Sequence, residues 1–288
     1  MILGVNFLVG GMAYTFPGEG ALDYFPCRYG TSRLLFRGPR RSLERPYIAF
    51  LGGTESYGKY VSDPFPDLVE DEFGFGAVNL SFVNAGVDVY LNDPDVLDVA
   101  RKAEAVVVQV MGAQNLTNRF YSVHPRRNDR FLGATPMLKS MFREVDFTEY
   151  NFTRHMIQGL MTVSPPRFEV VAEELRTAWV SRMRDLLSHL PAERTLLLWV
   201  GRKRPPTEGQ RITLGQDPLF VSAEMIGAMR PHAAAYAEAV VADTARIEGL
   251  SGMVFAPLEA PAAAALPGPM AHREVANTVI AGLKRFLH

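Results

Sequence analysis

The stretch Tyr47–Gly58 (YIAFLGGTESYG) decides the fold that the sequence predicts. Its first five residues, Tyr47–Leu51, form an apolar run without polar alternation, which is typical of a strand buried on both faces of a parallel sheet. A short turn bounded by Gly52 and Gly58 follows directly. Ligands of open parallel sheets collect at the carboxyl ends of the strands. We therefore expect the functional site to be built around this turn.

Outward from that turn, the chain alternates between short apolar runs and stretches with helical character. The runs Ala77–Val83, Ala105–Met111 and Thr195–Val200 predict three further buried strands. Helices are predicted over Pro66–Phe73 and Pro94–Lys102, between the first three strands. Strand and helix in alternation indicate an α/β domain with a parallel sheet and right-handed crossovers.

The segments before and after these strands define the predicted domain organisation. Residues 1–46 are interpreted as an N-terminal arm rich in Gly, Pro, Arg and Tyr, and residues 47–288 as a single α/β domain. The apolar start, Met1–Ala13, is interpreted as a leader or docking strand rather than a signal peptide, because no basic residue precedes it. An insertion over residues 112–165 follows the third strand. Four further helices are predicted near residues 136–144, 148–161, 167–190 and 271–287.

Composition excludes several classes of function. Thirty Lys and Arg against 31 Asp and Glu give a net charge of −1, so no global field attracts nucleic acid or an anionic membrane. Cys27 is the only cysteine, which excludes an internal disulfide and any cysteine-cluster metal site. A reducing cytoplasmic compartment is the simplest interpretation. No run of residues is long and apolar enough for a membrane span.

Small or polar residues follow each of the first three predicted strands. The three blocks are Gly52–Gly58, Asn84–Asp88 and Gly112–Asn115. In this order and spacing they resemble the first blocks of the SGNH (GDSL-like) hydrolases, in a divergent form. The resemblance implies a three-layer, flavodoxin-like parallel sheet. It also implies cleavage or transfer of acyl groups by a serine nucleophile, an Asp-x-x-His pair and an oxyanion hole. The chain is similar, too, to an uncharacterised family of alphaproteobacterial proteins, which would make it bacterial.

The resemblance assigns roles to individual residues of the first blocks. Thr54 occupies the nucleophile position, and Ser56 falls two residues later. Gly53 stands where the family has Asp and is a candidate substrate-binding residue of the turn. Gly86 matches the oxyanion-hole glycine and Asn115 matches the oxyanion-hole asparagine. Either Thr54 or Ser56 is therefore a candidate nucleophile, although both residue types also cap helices after glycine turns.

The base is harder to place, because the C-terminal block departs from the family pattern. Leu266 stands at the position of the catalytic histidine, and Ala263 at that of its Asp partner. His272, at the noncatalytic position of the pattern, is one candidate base. In the insertion, His124 or Asp129 could also replace the missing base. A lone histidine at a helix start is more often a surface or capping residue.

The insertion supplies a second cluster of polar side chains. The segment 115–130 is dense in Asn, Arg, His and Tyr, and Arg119 and Arg126 are its candidate ligand-binding arginines. Such side chains bind sulfate, phosphate, carboxylate or sugar groups. The same residues are also ordinary loop residues.

Neither a cofactor nor a metal ion is expected. The glycine turn lacks the Gly-Lys-Ser/Thr of nucleotide-binding loops, and no Gly-x-Gly-x-x-Gly follows the first strand. His124 and His155 lack the short spacing of zinc ligands. The expected partner is a small molecule or carbohydrate rather than nucleic acid or membrane, and the oligomeric state stays open.

Two functions remain open from the sequence. One is a divergent SGNH-like acyl-ester hydrolase or acyltransferase acting on a carbohydrate. The alternative is a noncatalytic SGNH-like domain that binds a sugar or an anionic ligand in the same place. A histidine nitrogen within hydrogen-bond reach of Thr54 or Ser56 would favour the enzyme.

Overall fold

A computed structural model describes residues 22–207, 214 and 217–287. The interpretation of Met1–Ala13 as a leader lies outside these residues. The strands are β1 (Tyr47–Leu51), β2 (Gly76–Asn79), β3 (Ala105–Gln109), β4 (Tyr121–His124), β5 (Arg127–Ala134), β6 (Thr195–Gly201) and β7 (Ala235–Val240). The helices are α1 (Thr54–Tyr57), α2 (Phe65–Phe73), α3 (Asp88–Leu91), α4 (Pro94–Lys102), α5 (Pro136–Met141), α6 (Thr153–Val163), α7 (Pro165–Ser188), α8 (Ala223–Met229), α9 (Ala242–Glu248), α10 (Ala260–Ala263) and α11 (Pro269–Leu283).

Five strands form a parallel sheet in the order β2-β1-β3-β6-β7. This is the flavodoxin-like order, in which the direction of strand addition reverses beside the first strand and leaves a crevice at the carboxyl ends. The sheet confirms the predicted α/β fold class. The turn after β1 lies at that crevice, where ligands of such folds bind.

Side chains alternate between the two faces of the sheet and build two cores. On β1, Ile48 and Phe50 belong to a cluster that includes Phe65 of α2 and Val275 of α11. Their neighbours in β1 point to the larger cluster, which contains Trp179 of α7. A sheet between two helical layers is thus the three-layer arrangement that continuous apolar strands require.

Most predicted elements lie where the sequence pattern placed them. The strand Tyr47–Leu51 and the helix Pro94–Lys102 have the predicted bounds, and Asp93 caps that helix by accepting a hydrogen bond from Val96 N. The second strand ends early, at Asn79 rather than Val83, and the Asn79 side chain donates to Ser56 O and accepts from Ser81 N just beyond the strand end.

The sequence did not predict two features of the fold, an edge strand of the main sheet and a separate hairpin. The fifth strand, β7, is an edge strand of mostly half-exposed residues, so it lacks the continuous apolar run that marks the others. The insertion contains the antiparallel hairpin β4–β5 in addition to the two predicted helices. The hairpin strands carry many polar residues, which hid them from an apolar-run criterion.

Within the described part of the chain, no helix combines the length and apolarity needed to cross a membrane.

Candidate functional site

The turn Gly52–Gly58 owes its shape to its two outer glycines. A Cβ atom at Gly52 would lie 2.6 Å from both Ser56 Oγ and Gln109 Oε1, so no side chain fits there. Gly58 has a left-handed φ of 71°, which glycine adopts without strain. The glycine spacing recognised in the sequence therefore has a steric cause.

Gln109, the last residue of β3, holds the turn from below. Its Oε1 accepts hydrogen bonds from Gly53 N at 3.0 Å, Ser56 N at 3.2 Å and Ser56 Oγ at 2.7 Å. Its Nε2 donates to Glu55 Oε2 at 2.8 Å. One buried amide thus fixes both the backbone of the turn and the direction of the Glu55 side chain.

The buried Arg37 supports the far side of the turn. Its guanidinium donates to the carbonyl oxygens of Tyr57, Gly58, Val61 and Ser62 at 2.6 to 3.3 Å. Although it is charged, the residue is only 6% exposed. Four carbonyl acceptors replace the water that the charge gives up.

The Thr54 hydroxyl is oriented by Asn84, in the block that follows β2. Thr54 Oγ1 donates to Asn84 Oδ1 at 3.2 Å and accepts from Asn84 N at 2.9 Å. Asn84 Nδ2 in turn donates to Asp129 Oδ2 at 3.2 Å. An amide oxygen accepts a hydrogen bond but does not take up a proton at ordinary pH. The Thr54 hydroxyl is therefore positioned but not activated by its partner.

Ser56, the other candidate nucleophile, faces the core. It is 1% exposed, and its hydroxyl donates to Gln109. Its carbonyl oxygen accepts a hydrogen bond from Asn79 Nδ2 at 2.9 Å. Ser56 therefore stabilises the turn and does not line the adjoining cavity.

A cavity of about 320 Å³ lies at the carboxyl ends of β1 and β3; we call it the strand-end cavity. Its polar lining consists of Thr54, Glu55, Lys59, Asn84, Gln109, Gln114, Asn115, Arg154 and Asp217, and its other lining residues are Gly53, Val83, Ala85, Val110, Met111, Gly112, Pro218, Ala262, Ala265 and Leu266. Volumes of this order accommodate a small ligand.

Glu55 brings a carboxyl group to this cavity. Burial raises the pKa of Glu55, and the negative charge of Asp217 raises it further. The hydrogen bond from Gln109 and the charge of Arg154 act in the opposite direction but do not cancel the rise. The protonated form is therefore favoured relative to an ordinary glutamate.

The two cations at the cavity already have partners. Arg154 pairs with Asp217 and donates to the carbonyl oxygen of Leu214 at 2.6 Å. The Lys59 ammonium lies 3.8 Å from the Glu259 carboxylate.

His272 is not placed at the turn. It is 1% exposed, its Nδ1 accepts a hydrogen bond from Phe65 N at 3.1 Å, and its ring stacks on that of Phe65. Burial lowers the pKa of His272 to about 3, with a smaller effect from the Arg37 charge. This neutral histidine packs against α2, so the structure does not form the predicted pairing with Thr54 or Ser56.

His124 is likewise used locally. Its Nδ1 accepts the backbone N–H groups of Arg126 and Arg127, both at 3.2 Å, in the turn between β4 and β5. Among the described residues that line the strand-end cavity there is no histidine. Neither histidine is brought to a candidate nucleophile, and Asp129 reaches Thr54 only through Asn84.

The two predicted oxyanion-hole residues differ in their position relative to the strand-end cavity. Gly86 N donates to Asn128 Oδ1 at 3.1 Å, so its N–H is already occupied. Asn115 lines the cavity, but its Oδ1 accepts from Thr153 Oγ1 at 2.7 Å and its Nδ2 donates to Asn84 O at 3.0 Å. Asn115 therefore lies at the cavity, whereas Gly86 binds Asn128 of the hairpin strand β5.

The predicted ligand-binding arginines lie away from the strand-end cavity. Arg119 forms an ion pair with Glu174 of α7, with 2.8 Å between Nε and Oε2. Arg126 contributes its backbone N–H to His124 and does not line the cavity. The structure brings neither residue to Thr54.

Leu266 lies at the cavity, where the family resemblance places a catalytic histidine. Ala263, at the matching Asp position, is fully buried. The loop before α11 therefore occupies the expected place and offers only apolar side chains there.

Sequence reasoning missed the residues that dominate the cavity lining. Gln109 is the only polar residue of the run Ala105–Gln109, and a lone amide in a buried strand was an available signal. Glu55 gave no such signal, because an acidic residue in the first turn of a helix is common. Gln114 is 8% exposed, and its Oε1 has no hydrogen-bond partner in the described part of the chain.

A larger cavity of about 810 Å³ adjoins the first. Glu55, Asn84 and Leu266 line both cavities, and the larger one adds the side chains of Trp199 and Phe220. The strand-end cavity thus adjoins a larger space whose lining also includes the basic residues Arg202, Lys203 and Arg204.

No group of His, Cys, Asp and Glu side chains among the described residues is arranged to hold a metal ion.

Comparison with known proteins assigns the chain to a family. Residues 12–287 match the model of the family described as a domain of unknown function (DUF6473), and the chain belongs to that family. No curated protein matches the sequence.

Several solved structures are similar to this chain. Phospholipase A1 from Streptomyces albidoflavus NA297 has 12% identity and a TM-score of 0.35, with 70% of this chain and 82% of that chain covered. The lipase/acylhydrolase from Enterococcus faecalis has 12% identity and a TM-score of 0.35, with 81% and 96% covered. A protein from Bacillus subtilis has 14% identity and a TM-score of 0.37, with 82% and 58% covered. At these scores the likeness adds nothing to the fold that the strand order already defines.

Proposed function

We propose that this protein binds a small polar ligand, such as a sugar, in the strand-end cavity, without a serine–histidine pair. The observation that carries the proposal is the lining of the cavity. It combines the amides of Asn84, Gln114 and Asn115 with a hydroxyl and a carboxyl group, but no described histidine. Amides and hydroxyls both donate and accept hydrogen bonds, as recognition of sugar hydroxyls requires.

The position of the cavity supports the same proposal. It lies at the carboxyl ends of the strands, where flavodoxin-like sheets bind ligands, and the turn beneath it is held by Gln109. A turn fixed in advance loses little conformational freedom when a ligand binds. The lining is therefore organised for binding, although its described residues include no histidine.

A second candidate function is hydrolysis or transfer of an acyl group, including transfer to a carbohydrate. Thr54 favours it, since this residue stands at the family's nucleophile position with its side chain at the cavity. The hydroxyl has Asn84 as its partner rather than a base, so covalent catalysis by Thr54 would need proton transfer to the ligand or to water.

Ligand binding is tested by NMR, in titrations of isotope-labelled protein with D-glucose, N-acetyl-D-glucosamine and D-glucuronate. We expect at least one sugar to shift the amide resonances of Gly53 and Thr54 and the side-chain resonances of Gln114. Asn115→Ala should weaken that sugar's binding, whereas Asn277→Ala, at a distant surface groove lined by residues of β7 and α11, should not. If none of the three sugars perturbs the cavity, the proposal is wrong.

Release of p-nitrophenolate from p-nitrophenyl acetate decides between the two candidates. We expect wild type and Thr54→Val to show the same slow rate, since the valine keeps the shape and loses only the hydroxyl. A wild-type rate well above that of Thr54→Val, with Thr278→Val unchanged as a control, would establish the second candidate instead.

A further inference from the structure

The larger cavity beside the strand-end cavity combines basic and apolar side chains. It lies at the carboxyl end of β6, where ligands of parallel sheets bind. Directly after that strand comes a turn of three consecutive cationic residues, Arg202, Lys203 and Arg204, which we call the basic turn. All three residues are exposed and line the cavity. A volume of about 810 Å³ accommodates a drug-sized molecule.

Two hydrogen bonds hold the basic turn against the rest of the domain. Trp199 Nε1 donates to Lys203 O at 2.8 Å, and Arg202 Nη2 donates to Ala264 O, in the loop before α11, at 2.9 Å. A guanidinium has five N–H groups, and the others of Arg202 have no partner among the described residues. The turn is therefore fixed in place while most donors of Arg202 remain available to a ligand.

Positive charge exceeds negative charge in the described lining of the larger cavity. Its cations are Arg154, Arg202, Lys203 and Arg204, and its carboxyl groups are Glu55 and Asp217. Arg154 pairs with Asp217, and the Arg204 guanidinium lies 3.7 Å from the Glu238 carboxylate. Arg202 and Lys203 have no carboxylate partner in the described part of the chain. These two cations favour an anionic group on the ligand.

The apolar part of the lining comes from α10 and the loop before α11. Five of its residues are exposed or half-buried, namely Pro261, Ala264, Ala265, Leu266 and Pro267. Alanine and proline lose no side-chain conformational entropy when a ligand covers them. Covering this wall with an apolar group therefore removes apolar surface from water at little entropic cost.

We propose that the larger cavity binds an anion with an apolar body, such as an arylalkyl carboxylate. The carboxylate pairs with Arg202 and Lys203, and the apolar body covers the alanines and prolines of the wall. Arg202 connects the two regions, because its hydrogen bond to Ala264 O holds the guanidinium beside that wall. The inference goes beyond the proposed function, since it concerns a second cavity and a different class of ligand.

Three probes separate the contributions of charge and apolar surface. 4-Phenylbutyrate has both, 4-phenylbutanamide has the same body without the charge, and acetate has the charge without the body. We expect 4-phenylbutyrate to bind about fivefold more tightly than the amide, as exposed ion pairs allow. It should bind at least about tenfold more tightly than acetate, because its body covers apolar surface.

Salt provides an independent measure of the charge contribution. Raising NaCl from about 0.05 M to about 0.5 M should weaken the binding of 4-phenylbutyrate, because salt screens exposed charges. Binding of 4-phenylbutanamide should not weaken over the same range.

The two tryptophan side chains give an internal comparison in NMR titrations. The Trp199 indole N–H donates to Lys203 O of the basic turn, so 4-phenylbutyrate should shift its resonance. The Trp179 indole N–H donates to Met111 O, and this fully buried side chain should keep its resonance unchanged.

Two double variants separate the basic turn from the overall charge of the protein. Arg202→Gln/Lys203→Gln removes the two cations without carboxylate partners, so it should bind 4-phenylbutyrate and 4-phenylbutanamide equally tightly. Lys139→Gln/Arg143→Gln removes two exposed cations that line neither cavity, and it should keep the wild-type preference. Thermal unfolding of both variants establishes that they are folded.

The outcomes distinguish this inference from the proposed function. Equal binding of 4-phenylbutyrate and 4-phenylbutanamide to the wild type, or an undiminished preference in Arg202→Gln/Lys203→Gln, overturns the inference. Absence of a Trp199 shift at about 10 mM 4-phenylbutyrate does the same. Sugar binding in the strand-end cavity is measured at Gly53 and Thr54 and stands or falls separately.

Discussion

The turn after β1 and the loop before α11 face the same cavity but are built differently. The turn is held by buried polar side chains, with Gln109 beneath it and Arg37 behind it. The loop lines the cavity with Ala265 and Leu266, beside Ala262 of α10, and none of these side chains can take a proton. Buried hydrogen bonds therefore fix the turn at the cavity, whereas the described residues of the loop contribute only apolar side chains to it.

Among the variants of the turn and the loop, we expect loss of the Gln109 amide to lower the free energy of unfolding most. Gln109→Leu leaves Gly53 N, Ser56 N and Ser56 Oγ without their acceptor. Each unsatisfied buried donor costs about 1–3 kcal/mol, so we expect the free energy of unfolding to fall by about 4 kcal/mol in urea denaturation.

The matched variant on the loop is Leu266→Ala. This residue is half-buried, and we expect a loss of only about 1 kcal/mol. Equal losses in the two variants would show that the turn and the loop do not differ in the way the contacts indicate.

His272, in the first turn of α11 just after the loop, makes the free energy of unfolding depend on pH. Its pKa falls from 6.5 to about 3 on folding, so the unfolded chain binds the proton more readily. The stability due to the neutral ring is fully present above pH 6.5 and is lost as the pH falls towards 3, by at most about 1.4 kcal/mol per pH unit.

Urea denaturation of wild type and His272→Asn across that window measures this effect. The asparagine oxygen still accepts from Phe65 N but does not titrate, so the variant should lose the His272 contribution to the slope. An identical slope in both proteins would mean that His272 is not the group responsible.

Adding a base to the loop should have the smallest effect. Leu266→His places an imidazole at the cavity opposite Thr54, and we expect the rate of p-nitrophenyl acetate hydrolysis to rise by up to about tenfold, since an unsupported base recovers only part of general-base catalysis.

Thr54→Val in the Leu266→His background is the control for that experiment. We expect it to abolish the gain, because the new histidine would act through the threonine hydroxyl. A gain that persists without Thr54 would mean that the imidazole acts on water or on the ester directly.

The sequence predicted more of the fold than of the candidate site. Continuous apolar runs located β1, β3 and β6, because burial on both faces demands them. The half-exposed β7 and the polar hairpin β4–β5 escaped that criterion. At the site, glycine spacing located the turn and Thr54, but nothing in the sequence indicated that Glu55 faces the cavity.

By itself, the sequence determined four strands of the sheet and the place of the turn, since continuous apolar runs and glycine spacing are patterns along the chain. Only the tertiary structure decided what surrounds Thr54. It buried His272 against Phe65, set His124 in a hairpin turn, and brought Gln109 beneath Glu55 from 54 residues away in the chain. Hydrogen-bond partners and pKa values arise from contacts between distant segments, and no spacing pattern along the sequence specifies them.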